Sequence, residues 1–423
     1  MAKITNIKGR QVFDSRGNPT VEAEIFLENG ISASAIVPSG ASTGKHEAFE
    51  LKDKDNQDYL GKSVFQSVEI INDIISKKLK GYYIYDLEKI DKTLIELDGT
   101  KQKNKLGANS ILAVSIAAVK AHSKVDGLPL YNFGGKCKTL PRPLMNIING
   151  GAHANNSLRI QEFMIRPDIR DTFKEGIRIC FIVINNLKLI LEKKKYSTNV
   201  GDEGGFAPSL SSNEEAIELI IEAIEKAGFE PGKDVSLCLD IAANELFKNG
   251  KYSIKSTNFE TAEDTIQYYV DLINKYPIRS IEDPFAEDDW KSWISFTKVT
   301  KSESPWNAKV QIVGDDLFVT NPERLIKGIK NKAGNAILIK PNQIGTFSET
   351  CKVIDLAHEN GYRTIISHRS GDSEDTFISD LAVGAKSSQI KTGSLSRSER
   401  VAKYNRLLRI EEELGKQAKM ANI

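Results

Sequence analysis

The strongest constraint on the fold is a recurrence in the C-terminal two thirds of the chain. Short apolar runs, each closed by a charged or polar residue, alternate there with helical patterns. Val235–Leu239 runs into Asp240, Ile278–Ile281 into Glu282, and Val310–Val313 into Gly314-Asp315. Ala336–Ile339 then runs into Lys340, Thr364–Ile366 into Ser367-His368-Arg369, and Ser388–Ile390 into Lys391. Such runs read as strands buried on both faces, and the helices between them as crossovers of a parallel sheet. In a chain of 423 residues, successive units of this kind point to an α/β barrel.

The helical segments are punctuated as physical chemistry requires. Asn213 is expected to cap a helix with Glu214 and Glu215 in its first turn, an Ile217/Ile220/Ile221/Ile224 stripe, and Gly228 as its stop. Upstream the text differs. Residues 1–60 read as strands and turns, with Val21–Phe26 after Gly17-Asn18-Pro19 and Ile31–Val37 before Pro38. Asn109-Ser110 is expected to cap Ile111–Ala121, which is apolar on nearly every face and so belongs between layers. Gly and Pro cluster from Gly134-Gly135 to Pro141-Arg142-Pro143. The expected division is a small N-terminal α+β domain over 1–135 and a barrel domain over 136–423.

Charge and cysteine usage exclude several classes. Lys+Arg 58 against Asp+Glu 57 removes the electrostatic case for a dedicated nucleic-acid binder. Cys137, Cys180, Cys238 and Cys351 form no close pair, which favours a reducing compartment. The runs Ile111–Val119 and Ile177–Ile184 stop at Lys120 and at Asn185-Asn186, short of the ~18 residues a membrane span needs. The opening MAKITNIKGR lacks a signal-peptide core, so the sequon at Asn155-Asn156-Ser157 is read as unmodified and the protein as cytoplasmic.

In a barrel the C-terminal strand ends share one mouth, so the residues closing the runs are expected to converge. Asp240, Glu282 and Asp315 are hard oxygen ligands suited to Mg2+. Lys340, Arg369 and Lys391 beside them imply an anionic substrate. A lysine set between another lysine and a divalent cation has its pKa lowered and can act as a base. That combination suggests proton abstraction next to a carboxylate. Gly201-Asp202-Glu203-Gly204-Gly205 adds carboxylates on a Gly-flanked turn, and His153 and Gln161-Glu162 add a loop histidine and an acid. The loop Ser39–Lys45 is not a phosphate-binding P-loop, because Ser39 and His46 stand where Gly and Ser or Thr are needed. It remains either a plain turn or a lid bringing an oxygen ligand to a metal.

These residues sit in stretches that together resemble the enolase family, bacterial type. They are DSRGNPTVEAE (14–24), PSGASTGKHEA (38–48), MNIINGGAHANN (145–156), IQEFMI (160–165), GDEGGFAP (201–208), SIEDPFAEDDW (280–290), GDDLFVTN (314–321), LIKPNQIGT (338–346), ISHRSG (366–371), QIKTG (389–393) and SRSERVAKYNRLLRIEE (396–412). The resemblance implies an N-terminal α+β domain on a modified barrel whose early part departs from strict βα order. It implies reversible, Mg2+-dependent dehydration of 2-phospho-D-glycerate to phosphoenolpyruvate, in glycolysis and gluconeogenesis, through an enolate held by two Mg2+ per active site. By motif position, Lys340 is similar to the base and Glu203 to the acid. Asp240, Glu282 and Asp315 resemble the ligands of one Mg2+, and Ser42 the loop ligand of the second. Arg369 and Ser370 are expected on the substrate phosphate and Lys391 near its carboxylate. His153, Gln161, Glu162 and His368 are expected around the leaving hydroxyl and the phosphate.

A homodimer is implied, with an octamer as the alternative, and relatives take second roles at cell surfaces or in RNA-processing assemblies. The terminal Lys pair associated with surface binding is absent before Ile423, and a phosphate-directed Arg369-Ser370 pair suits other acid-sugar dehydratases poorly. Departures from the family pattern are Leu158-Arg159, expected to add positive charge near the acid, Asn244 after Asp240, and Arg142 between two prolines.

Overall fold

The structure is a computed structural model that describes residues 2–40, 44–54, 57–135, 137–168, 172–255, 257–301 and 309–423. It begins with an antiparallel sheet of β1 (Ile4–Phe13), β2 (Pro19–Leu27) and β3 (Ser32–Ile36). Asp14 Oδ1 accepts from the backbone of Arg16 and Asn18, and Gly17 takes a φ of 71°, which sets the turn into β2. Along β2 the side chains of Val21, Ala23, Ile25 and Leu27 are buried, and the helix Ala108–Asp126 packs on this sheet.

That helix is buried at every position from Ala108 to Val119, as its all-round apolar pattern requires. Its start differs from the expectation. The helix begins at Ala108 after Gly107, and Asn109 is already inside it. The Asn109 amide instead accepts from Leu51 N at 3.1 Å and donates to Leu51 O at 3.0 Å, because a buried amide is better satisfied by the loop packed against it. The later helix behaves alike. Ser212, not Asn213, caps Asn213–Lys226 by accepting from Glu215 N at 3.1 Å. Asn213 turns away to hold Arg159 N, Ile160 N and Ile254 O. Gly228, at a φ of 82°, ends the segment as expected.

Eight strands close into a barrel: β4 (Arg142–Asn149), β5 (Glu162–Pro167), β6 (Val235–Asp240), β7 (Ile278–Glu282), β8 (Gln311–Gly314), β9 (Ala336–Ile339), β10 (Arg363–Ser367) and β11 (Gln389–Lys391). The ring order is β7-β8-β9-β10-β11-β4-β5-β6. All neighbours are parallel except at β5, which runs against both β4 and β6. The reversal has a consequence for chemistry. Strand β5 offers its N-terminal residue, Glu162, to the mouth where every other strand ends, and Glu162 pairs in register with Asn149 and Asp240.

Side-chain alternation then stacks the barrel interior in layers. Leu144, Met164, Cys238, Val313, Ala336, Leu338 and Ile365 form an apolar cluster separate from the main core. Below it lies a polar layer in which Gln311 and Gln389 bond to each other, to Ser280 and to Arg166. Two residues beyond the apolar layer, on the same parity, stand Asn146, Glu162, Asp240, Asp315, Lys340 and Ser367. A one-residue slip of any strand would turn its member of that layer outward. No helix among the described residues is long and apolar enough to cross a membrane.

Leu338, fully buried, carries Lys340 above it. Leu338→Ala is expected to cost about 2–5 kcal/mol, read as a lowered urea unfolding midpoint. A loss under about 1 kcal/mol would show that the interior layer does not support the mouth.

Candidate active site

The polar cleft at the barrel mouth is lined by His153, Gln161, Glu162, Glu203, Asp240, Asp315, Lys340, His368, Arg369, Ser370 and Lys391, together with Glu47, Asp283 and Asp316. Glu282, also expected here, sits at the end of β7 and reaches the same group through Lys391. Ser42 lies outside the described residues.

On one side, Lys391 Nζ is 2.8 Å from Asp240 Oδ2, 2.8 Å from Glu282 Oε1 and 3.2 Å from Glu162 Oε1. Burial would lower its pKa, but these carboxylates hold it well above the usual lysine range. Lys340 Nζ is 2.5 Å from Asp315 Oδ2. Burial, Arg369 and Lys391 push the Lys340 pKa down, yet the Asp315 contact outweighs them and the pKa is raised. Asp315 is itself held down by Lys340, against burial, and accepts from Gln343 Nε2 at 2.9 Å.

Asp240, Glu282 and Asp315 thus converge on the two ammonium groups. Among the described residues, the groups of possible ligands whose atoms lie mutually within 4.8 Å are different: His153 with Glu162 and Glu203, and Asp283 with Asp315 and Asp316. Asp283, at a φ of 41°, accepts from Asp315 N and Asp316 N at 2.9 and 2.8 Å and so aims the Asp315 carboxylate inward. Burial and the Asp315 charge lift Asp316 to about 7.

The donor set fits Mg2+. Glu282 Oε2 is buried with no hydrogen-bond donor among the described residues, and burial with Asp240 and Asp315 pushes its carboxyl well up. Crowded, desolvated carboxylates short of positive charge are what a hard cation satisfies.

Glu203 rides on the loop between the helix Phe173–Lys193 and the helix Asn213–Lys226. Its turn needs glycine. Gly204 has a φ of 86°, and a Cβ on it would come 2.5 Å from Ser396 O; one on Gly205 would come 2.4 Å from Asn149 Oδ1. Glu203 accepts from Asn146 Nδ2 at 3.3 Å and lies 3.3 Å from His368 Nε2 and 3.7 Å from His153 Nδ1. Burial would raise its pKa, but His368, His153 and Arg400 hold it well below the carboxylate range. Glu162 goes the other way, lifted well up by burial and by Glu203. The pair therefore carries its proton on Glu162.

Arg400 was not singled out in the sequence, although it lies in the SRSER stretch. It is fully buried and donates to His368 Nδ1 at 2.7 Å, to Arg369 O at 2.5 Å and to Ser370 O at 2.6 Å. Guanidinium has no acceptor, so His368 Nδ1 accepts and its proton is on Nε2, facing Glu203. Arg159, expected to add charge near the acid, is tied to Ser253 O and Oγ at 2.9 and 2.6 Å and is spent there. Asn244 bridges Asp316 Oδ2 and Glu287 N, and Arg142 binds Ala421 O and Pro167 O away from the mouth.

A barrel with one reversed strand, whose mouth is packed with opposed ammonium and carboxyl groups, defines an acid–base barrel enzyme. Comparison with known proteins narrows this. Residues 4–133 match the family described as "Enolase, N-terminal domain", and residues 137–423 match "Enolase, C-terminal TIM barrel domain". A protein named "Enolase" from Pelagibacter ubique (strain HTCC1062) is 63% identical over 425 residues, covering 100% of both chains. The chain belongs to the enolase family, the phosphopyruvate hydratases, which are lyases.

Burial, against the pull of Glu203, brings the His368 pKa down to about 4 from an ordinary 6.5. Nitrogen-15 NMR is expected to show Nε2 protonated and Nδ1 bare, without inflection between about pH 8 and 5. A titration centred near the ordinary value would contradict this environment.

Proposed function

We propose that the protein reversibly dehydrates 2-phospho-D-glycerate to phosphoenolpyruvate at this mouth, as a cytoplasmic enzyme of glycolysis and gluconeogenesis. The observation that carries the reading is the ring order. Strand β9, which ends at Lys340, and strand β5, which begins at Glu162, are four places apart in either direction round an eight-strand ring. Lys340 therefore faces Glu162 across the cleft, and Glu203, whose carboxylate lies within 4.8 Å of Glu162 and His153, shares that far side, which supports an anti elimination between Lys340 as base and Glu203 as acid.

Lys340 removes the proton from C2, and the electron pair left behind delocalises into the substrate carboxylate. The C3–O bond then breaks, and the departing hydroxyl leaves as water with a proton delivered by Glu203, which rests ionised and must first take that proton over from its protonated neighbour Glu162. Resting contact with Asp315 keeps Lys340 charged, so Asp315 must turn to another cation and Lys340 must release its own proton to solvent before it can take one from C2. Lys391 meets the substrate carboxylate, and Arg369 with Ser370 meets the phosphate. His153, Gln161 and His368 surround the leaving group and restrict water there.

Asp240, Glu282 and Asp315 are the residues proposed to hold one Mg2+, and Ser42 to join a second. The ions supply Lewis-acid stabilisation of the charge that develops on the carboxylate. We place the division between the two domains at 135/136 and expect a homodimer, which light scattering would measure.

Adding 2-phosphoglycerate and Mg2+ is expected to raise ultraviolet absorbance from the conjugated product, and a chelator to abolish the rise. Folded, metal-loaded protein without that signal would overturn the proposal. Lys340→Ala is expected to lose about 10²–10⁴-fold in turnover and to stop exchange of the C2 hydrogen with deuterated water. Glu203→Gln is expected to lose turnover while keeping that exchange. Exchange in Lys340→Ala would mean that the base is another group.

A further inference from the structure

Glu47 has no part in the chemistry above, yet its carboxylate already occupies the guanidinium assigned to the phosphate. Its Oε2 accepts from Arg369 Nη1 at 3.0 Å and its Oε1 from Arg369 Nη2 at 3.3 Å, a two-point fork. Both side chains are buried, at 3% and 7% exposure. The same Oε1 accepts from Gly44 N at 2.9 Å and from Gln343 Nε2 at 3.3 Å. Asn342 Oδ1 also accepts from Arg369 Nη1, at 3.1 Å.

We propose that Glu47 is the resident counter-ion of the anion subsite at Arg369, an internal carboxylate that an arriving phosphate must displace. The proposal rests on Arg369 being the phosphate-binding group. A guanidinium buried alone would carry an uncompensated desolvation cost, and Glu47 offsets it while the site is empty of substrate. Two anions cannot share one edge of the fork without repulsion, so phosphate binding and Glu47 binding exclude each other.

Exchange also selects. A carboxylate ligand would replace Glu47 like for like and gain little. A phosphate brings nearly two charges and three acceptor oxygens, and so outcompetes it. The displaced Oε1 releases Gly44 N and Gln343 Nε2 together, and Gln343 Nε2 also bonds Asp315. Arrival of the phosphate is thereby coupled to the carboxylate that pairs with Lys340.

The test is calorimetric binding of inorganic phosphate, and separately of acetate, to full-length protein. Glu47→Gln is expected to tighten phosphate binding about tenfold, which is about 1.4 kcal/mol, and to narrow the preference for phosphate over acetate. Glu47→Asp, which keeps the charge but shortens the reach, is expected to fall between Glu47→Gln and the parent. It also serves if Glu47→Gln does not fold. Unchanged or weaker phosphate binding in either folded variant would overturn the proposal and leave Glu47 a structural brace. Arg369→Met reads the underlying assignment. It is expected to weaken phosphate binding and to erase the Glu47→Gln gain, whereas phosphate bound as in the parent would mean that Arg369 is not the phosphate group.

Discussion

The ion cluster around Lys391 is the interaction on which the rest of the mouth depends. Asp240, Glu282 and Glu162 bring three carboxyl groups out of water to one point, and Lys391 Nζ touches all of them within 3.2 Å. Taking one partner from such a cluster strands a buried charge at roughly 3–5 kcal/mol, so each member is held by the others. Lys340 with Asp315 and Arg369 with Glu47 repeat the device. On the proposed assignments, an internal ion of opposite sign stands at each place where a ligand of matching charge would bind: ammonium groups for a divalent cation, a carboxylate for a phosphate. The ammonium groups offset these carboxylates only in part, and on this proposal substrate and metal act by exchange with the resident ions.

The barrel makes that economy of charge workable because it fixes parity. One apolar layer supports the mouth, and on the six strands that contribute to it the residues two positions nearer the mouth point into the cleft. The reversed β5 adds an acid from a strand start, which an all-parallel barrel would have directed to the other end. Positions that look unrelated in sequence, such as Asn146, Glu162 and Lys340, are therefore held by one repeating geometric rule.

How much of this could be read from sequence follows from the same rule. The six later strands were legible, within about one residue at each end, because their apolar runs are closed by ionic residues. Strands β4 and β5 were not, since Gly and Pro crowd the text around residues 134–143 and β5 opens directly on its own site acid, with no apolar run before it. That most of these side chains meet at one mouth was legible, while their ion pairing was not. Lys340 reads as a depressed base from its lysine neighbours, but its carboxylate contact at Asp315 comes from a different strand. Caps failed for a similar reason: Asn109 and Asn213 have the chemistry of caps but serve neighbouring loops brought close only by folding. Glu47, Asp283 and Arg400 lie in quoted stretches, and nothing local marks which of their neighbours they will bind.

Whether Lys391 stands in for a cation among Asp240, Glu282 and Glu162, as proposed, is tested most directly by titrating the metal-free protein with Mg2+ in a calorimeter, without substrate, beside Lys391→Met. If the ammonium competes for the carboxylates, the variant binds Mg2+ more tightly than the parent. Equal or weaker Mg2+ binding by a folded variant would show that the lysine supports the cation site instead of occupying it.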